Sequence, residues 1–399
     1  MAHKDTLIEQ ATALIEDPRF IFRVGKKIGE LGMVHEFRNR LIIFLACLTM
    51  FLRNKVSVSA TAPSGSGKST LMEIPLKVFP PECVVRRASF SRKALAFGQQ
   101  SLDKKILYVN EYSGSSEARQ MLRILQSEGE LAHEYTVGGK TKVARRSGSP
   151  VVLTTTADEV ISEDDATRCL TIRVSEAPDK ILAVLKASLN SSKNDVEPED
   201  AEPGLEVWQQ AIRLIGERAN NPFEFPSWLE FVAEQLPRDR VRVQRDWKRF
   251  LALLQAAALC RPQLRSTNEI AISDYCVAHR ILGSAFTATA HAVNQNELAI
   301  QRAVKKLSGD ERRPVAISDL RKHLNWADGA VYKYVRMAVK HRLVEFEPGT
   351  REKNVKRLLP TDAVVGDFLP DPKKVLEHIG IGKGKTTYIN PLTGETVSL

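Results

Sequence analysis

The chain has 399 residues, enough for two or three domains of ordinary size. Its 43% hydrophobic and 27% charged residues are the mix of a soluble globular protein, and the apolar stretch at 41–52 is shorter than the roughly 20 residues of a membrane-crossing helix. A formal net charge of +10 makes a polyanion the natural class of partner.

The N-terminus lacks an apolar core followed by a cleavage site, so no signal peptide is expected. Cys47, Cys83, Cys169, Cys260 and Cys276 are scattered and odd in number, which argues for a reducing, cytoplasmic setting rather than a disulfide framework or a zinc site.

Residues 1–54 read as a helical segment. Ile8, Ala11, Leu14 and Ile15 recur at helical spacing, and so do Phe22, Val24, Ile28, Leu31 and Val34. Gly25, Gly29 and Gly32 weaken that second helix, and a strongly apolar third helix spans 36–52. From Lys55 the period changes to two, with Val56, Val58 and Ala60 alternating with Ser57 and Ser59. Further apolar runs at 83–85, 106–109, 151–153 and 169–174 are separated by helical stretches at 70–78, 91–99 and 116–126. Strands alternating with helices imply an α/β domain, 55–176, with a mainly parallel sheet covered on both faces.

A polar, acidic, proline-containing linker at 191–203 lies within a helical region, 177–292. One apolar stripe there runs through Trp208, Ile212 and Ile215, and another through Phe250, Leu253, Leu254, Ala257 and Ala258. Residues 293–362 follow a different plan. A helix at 297–307 precedes a second at 318–324, with Ser318 as candidate cap, and a third at 329–342 with Val331, Val335 and Val339 inward. Strands at 343–346 and 355–359 flank a Pro348-Gly349 turn. Three helices and a two-stranded wing are the winged-helix layout. Lys333, Arg336, Lys340 and Arg342, with Arg351, Lys353, Lys356 and Arg357 on the wing, suit duplex contact; the alternative is a winged helix that contacts protein. The tail, 363–399, is loop-rich.

The chemistry concentrates at Ala62-Pro63-Ser64-Gly65-Ser66-Gly67-Lys68-Ser69, which follows a strand and opens a helix at Thr70. Small residues let the backbone wrap phosphates, and N–H groups at the helix start point at them. Lys68 reaches the β- and γ-phosphates of ATP, and the Ser69 hydroxyl binds Mg²⁺. The loop opens with Ala62 rather than glycine. The strand at 106–109 leads into Asn110-Glu111, the Walker B position. Glu111 stands where a carboxylate polarises the attacking water. Asn110 replaces the aspartate that usually supports the metal; its amide accepts from a metal-bound water but carries no charge.

With these motifs in view, residues from about 36 to 255 resemble AAA+ ATPases of mobile genetic elements, the helicase modules of phage, plasmid and island replication proteins. These are related in layout to minichromosome maintenance and superfamily 3 helicases. The matching stretches are Ala62 to Glu73, Ser91-Arg-Lys-Ala-Leu-Ala, Leu122-Arg-Ile-Leu-Gln-Ser-Glu-Gly, Leu153-Thr-Thr-Thr and Asp165-Ala-Thr-Arg168. Runs at 131–137 and 140–145 around Gly138-Gly139 read as a hairpin on their own account. The resemblance makes it a pore hairpin with Lys140 and Lys142 at its tip, Arg145 and Arg146 on the return arm, and single-stranded DNA as its ligand; the alternative is a solvated surface hairpin.

The resemblance also implies a γ-phosphate sensor at Thr155 and an arginine finger acting in trans at Arg168, for which the alternative is an ion pair with Asp164 or Asp165. It implies a lid arginine at Arg245, preferred over Arg242, against a merely solubilising basic helix face. The whole reads as an AAA+ P-loop NTPase core with a helical N-terminal segment, a helical lid and a C-terminal winged-helix domain. Such a chain is expected to form a hexameric ring with no membrane attachment, using ATP and Mg²⁺ to move DNA. The rivals are a non-translocating ATPase switch (a loader, initiator or regulator) and a nucleic-acid-independent defence or remodelling ATPase.

Overall fold

The computed structural model describes the chain except residues 1, 63–64, 88–91, 99, 111–115, 139, 157–167, 176–177, 191–201, 222, 239–241, 263–266, 291–294, 310, 348–356, 362–366 and 383. The chain divides into two compact units. One comprises Met1–Ser175, Ala187–Leu282 and Pro370–Leu399; the other comprises Glu176–Lys186 and Gly283–Leu369.

The first unit opens with α1 (Ala2–Glu16), α2 (Phe20–Glu30) and α3 (Phe37–Leu48). Leu41 through Leu48 are all fully buried, which explains why α3 is apolar around its whole circumference from Leu41 onward. Gly25 and Gly29 have a packing reason. A β-carbon at Gly25 would overlap the Phe37 ring, and one at Gly29 would fall 2.6 Å from the Arg40 guanidinium. The two helices approach too closely for side chains there.

Arg40 is buried in that crossing, where it donates to Gly25 O at 2.7 Å and also to Met33 O. Burial lowers its pKa to about 10 despite the nearby Glu36 carboxylate. Arg40→Ala leaves both carbonyls without this donor, so a loss of about 3 kcal/mol is expected in urea unfolding. An unchanged midpoint would show that water replaces the guanidinium.

Next come β1 (Ser57–Thr61), α4 (Lys68–Glu73), β2 (Val84–Arg87), α5 (Arg92–Phe97), β3 (Ile106–Val109), α6 (Ser116–Glu128), β4 (Glu130–Val137), β5 (Lys140–Ser147), β6 (Val151–Thr156) and β7 (Cys169–Arg173). Five of the strands form one sheet in the order β2-β3-β6-β1-β7, and every neighbouring pair is parallel. The four residues of β3 and five of β1 are buried throughout, as a sheet covered on both faces requires. β4 and β5 stand apart as an antiparallel hairpin. The helix expected at 70–78 is split: α4 gives way to a 3₁₀ stretch, Ile74–Val78, at Pro75, which has no N–H to continue the α ladder.

Further along the chain come α7 (Pro178–Asn190), α8 (Leu205–Arg218), α9 (Trp228–Glu234), α10 (Arg242–Leu259) and α11 (Ile272–Ala290); α7 up to Lys186 and α11 from Gly283 belong to the second unit, the rest to the first. Trp208 on α8 is fully buried and stacks on Phe20 of α2, with ring centres 5.6 Å apart. That contact ties α8 to the start of the chain.

The second unit is built from α12 (Gln295–Ser308), β8 (Val315–Ala316), α13 (Ile317–Leu324), α14 (Asp328–Lys340), β9 (Val344–Phe346) and β10 (Arg357–Pro360). Its antiparallel sheet runs β8-β10-β9, so a third strand joins the two read from sequence. Leu298, Ile300, Leu320, Val331, Val335 and Leu358 form its core. Ser318 is not the cap of α13: the helix begins one residue earlier, with Ala316 at the N-cap and no side-chain capping bond.

The last residues are more ordered than a loop-rich tail. They form α15 (Pro372–His378), β11 (Thr387–Ile389) and β12 (Thr396–Ser398), and they rejoin the first unit. Asp371 caps α15 by accepting from Lys373 N at 2.8 Å. Tyr275 donates its hydroxyl to Pro370 O at 2.7 Å, and His378 stacks on Phe231 at 4.0 Å. Among the described residues, no helix is long and apolar enough to cross a membrane.

Candidate functional site

β1 is a central strand of the sheet, and its carboxyl end delivers the chain into the loop before α4. Ligands of open α/β sheets bind at this end. Gly65 and Gly67 hold φ at +79° and +88°, a conformation that favours glycine. A β-carbon at either would meet nothing within 4 Å, so the loop borders open space. Glycine backbone at positive φ bordering open space, next to the first turn of a helix, fits a phosphate. Lys68 is half-buried and donates to Ala62 O at 2.6 Å, which holds its ammonium against the loop. Ser66 is half-buried and Thr70 exposed, while Pro63 and Ser64 lie outside the described residues.

Three residues picked from separate segments meet around one atom. The Asn110 Oδ1 accepts from the Ser69 hydroxyl at 3.1 Å and from the Thr155 hydroxyl at 3.4 Å. β6, which lies between β1 and β3, carries Thr155 into this position; Thr155 is 1% exposed. Two hydroxyls and a carboxamide are hard oxygen donors of the kind Mg²⁺ accepts, directly or through water. Glu111 follows Asn110 and lies outside the described residues.

Sequence reasoning passed over Tyr108 and Glu73. Tyr108 is two residues before Asn110, so it shares that residue's face of the sheet. Glu73 is four residues after Ser69, on the same side of α4. Burial and the Glu73 carboxylate push the Tyr108 hydroxyl up to about 12, so it stays protonated. Strand alternation and helical spacing were the signals that could have found them.

Elsewhere the chosen residues separate. Arg168 precedes β7 and donates to the Ser127 hydroxyl at 2.8 Å; Asp164 and Asp165 lie outside the described residues. Arg242 and Arg249 both donate to the fully buried Asp246, at 3.1 and 2.8 Å. Arg242 is thereby committed within α10, whereas Arg245 sits on an exposed position. Burial lowers the Arg249 pKa, against the pull of the Asp246 carboxylate.

On the hairpin, Lys140 and Lys142 are exposed. Arg145 pairs with Glu130 at 2.9 Å. Arg146 is buried and donates to Leu95 O at 3.0 Å and Gln100 O at 3.3 Å. It anchors the hairpin to the α5 region and is not a surface cation. In the second unit, Arg336 is exposed on α14 and the Lys333 ammonium lies 5.4 Å from the centre of the Tyr334 ring. The wing residues Arg351, Lys353 and Lys356 lie outside the described residues.

The parallel sheet, the glycine-rich loop and the helix it opens fit a P-loop domain, a class that binds nucleoside triphosphates. Residues 32–218 match the family model described as the MTBMA_p00010 P-loop domain. Comparison with curated proteins finds no match.

Proposed function

We propose that this chain is an ATP-hydrolysing motor whose subunits form a hexameric ring and pull on single-stranded DNA in mobile-element replication. The observation that carries the nucleotide half is the meeting of Ser69 and Thr155 on Asn110 beside the loop that holds Lys68. In this reading the backbone N–H groups of the loop and of the first turn of α4 hold the phosphates. Lys68 leaves Ala62 O for the β- and γ-phosphates. Ser69 and Asn110 serve the Mg²⁺, which neutralises charge on the phosphates when bound. Thr155 reports the γ-phosphate to β6, Glu111 orients the attacking water, and Arg168 serves the site of a neighbouring subunit. Arg245 acts from the lid.

The DNA half rests on the exposed Lys140 and Lys142 and on the net charge of +10. The second unit is read as a winged helix in which Lys333 and Arg336 of α14 face duplex DNA. ATPase rate with and without single-stranded DNA tests the whole. Strong stimulation is expected, lost in Glu111→Gln through chemistry and in Lys140→Ala through DNA coupling. A DNA-indifferent rate that only Glu111→Gln abolishes would remove the pore-hairpin reading.

Asn110 favours a second reading, a non-translocating ATPase switch such as a loader, initiator or defence regulator. No charge stands at Asn110 itself, and slow turnover suits a switch. Asn110→Asp adds a charge beside Ser69, so tighter Mg²⁺ dependence and a turnover raised about tenfold, or ~1.4 kcal/mol, are expected. An unchanged Mg²⁺ titration would show that Asn110 does not face the metal. Strand displacement by the purified protein separates motor from switch.

A further inference from the structure

The two faces of the β4–β5 hairpin differ chemically, and strand register shows how. Tyr135 lies opposite Lys142, Val137 opposite Lys140, and His133 opposite Ala144. Directly opposed residues share a face, so the aromatic residues of β4 and the two lysines of β5 lie on one side. That side carries no carboxylate from either strand. The other side carries Glu130 and Glu134, together with Thr136, Thr141, Val143 and the Arg145 that pairs with Glu130.

Phe97, the last residue of α5, packs on the aromatic side. Its ring meets Tyr135 edge-on with centres 4.7 Å apart and His133 at 6.0 Å. It is nevertheless 42% exposed. The position is held firmly: at the root of the same face, Arg146 is buried and bonds to Leu95 O and Gln100 O, on either side of Phe97 in the chain. An exposed phenylalanine fixed beside a tyrosine and two lysines is poorly explained as core. It has the composition of a surface that stacks bases and neutralises phosphates.

We infer that Phe97 and Tyr135 form a base-stacking platform for single-stranded DNA, continuous with Lys140 and Lys142 on the same hairpin face. The inference rests on the DNA half of the proposed function and deepens it. The lysines bind any phosphate backbone; the aromatic rings require bases. The strand therefore lies along one face of the hairpin, from the lysines at the tip toward α5, and the Glu134 face is turned from it.

Fluorescence anisotropy with an oligothymidylate and an abasic oligonucleotide of equal length tests this. Phe97→Leu and Tyr135→Leu are expected to weaken oligothymidylate binding about tenfold each and to leave abasic binding unchanged. Lys142→Ala is expected to weaken both probes alike and to reduce the salt slope by about 0.7. Thr141→Ala, on the opposite face, is expected to change neither. Leucine variants that weaken both probes equally, or neither, overturn the platform while leaving the DNA reading intact. A wild-type protein that binds neither probe overturns both.

Should the leucine variants fail to fold, the wild-type protein supplies the answer through photocrosslinking to an oligonucleotide containing 5-iodouracil. Crosslinks at Phe97 or Tyr135 support the platform. Crosslinks found only elsewhere overturn it.

Discussion

Lys68→Ala is expected to abolish measurable ATP hydrolysis, lowering kcat/KM by at least about a hundredfold, or ~2.7 kcal/mol. In the proposed site Lys68 is the point charge for phosphate, and its Nζ lies against Ala62 O at 2.6 Å. Alanine removes the charge that follows the γ-phosphate into the transition state, and no other described side chain of the loop carries one. The fold should survive, because the lost bond is a half-buried one to a carbonyl at the loop edge, worth about 1 kcal/mol. The measurement is steady-state hydrolysis beside binding of a fluorescent ATP analogue, with urea unfolding as the control. Activity above about a tenth of wild type would move the catalytic phosphates away from this loop.

Arg168→Ala is expected to lower hydrolysis about a thousandfold while leaving nucleotide binding within about twofold. Within its own chain Arg168 bonds to Ser127, whereas Lys68 and Ser69 bond to Ala62 and Asn110. A finger acting in trans makes a sharper prediction: mixing Arg168→Ala with Lys68→Ala subunits should restore part of the activity. In such a ring, some sites combine an intact loop from one subunit with an intact arginine from the next. No recovery on mixing, with each variant still assembling, would assign Arg168 to its Ser127 contact alone. Subunit exchange followed by light scattering establishes that mixed assemblies form.

Much of the core was legible because its signals are local. The 106–109 run is β3 with the same bounds, and the motif at 62–69 falls where β1 passes into α4, although the helix already starts at Lys68 and not at Thr70. Gly138 at positive φ lies in the turn between β4 and β5, where a glycine pair announced a hairpin. What was misread depended on distant partners. Arg146 looks like one more cation on a basic arm, yet it is buried because Leu95 and Gln100, about fifty residues earlier, offer carbonyls. Gly25 and Gly29 look like helix weakeners until α3 crosses them.

By itself, then, the chain's order of residues determined the alternating strands and helices of the parallel sheet, the glycine-rich turn between β1 and α4, and that a cationic hairpin leads into β6. These follow from backbone propensity and side-chain period, which act over a few residues. Only the tertiary structure decided that Ser69, Asn110 and Thr155 share one oxygen, that Arg146 is buried against Leu95 and Gln100, and that the last thirty residues return to the first unit. Burial and hydrogen-bond satisfaction decide those outcomes. Both depend on which distant segments come together, and no local pattern encodes that.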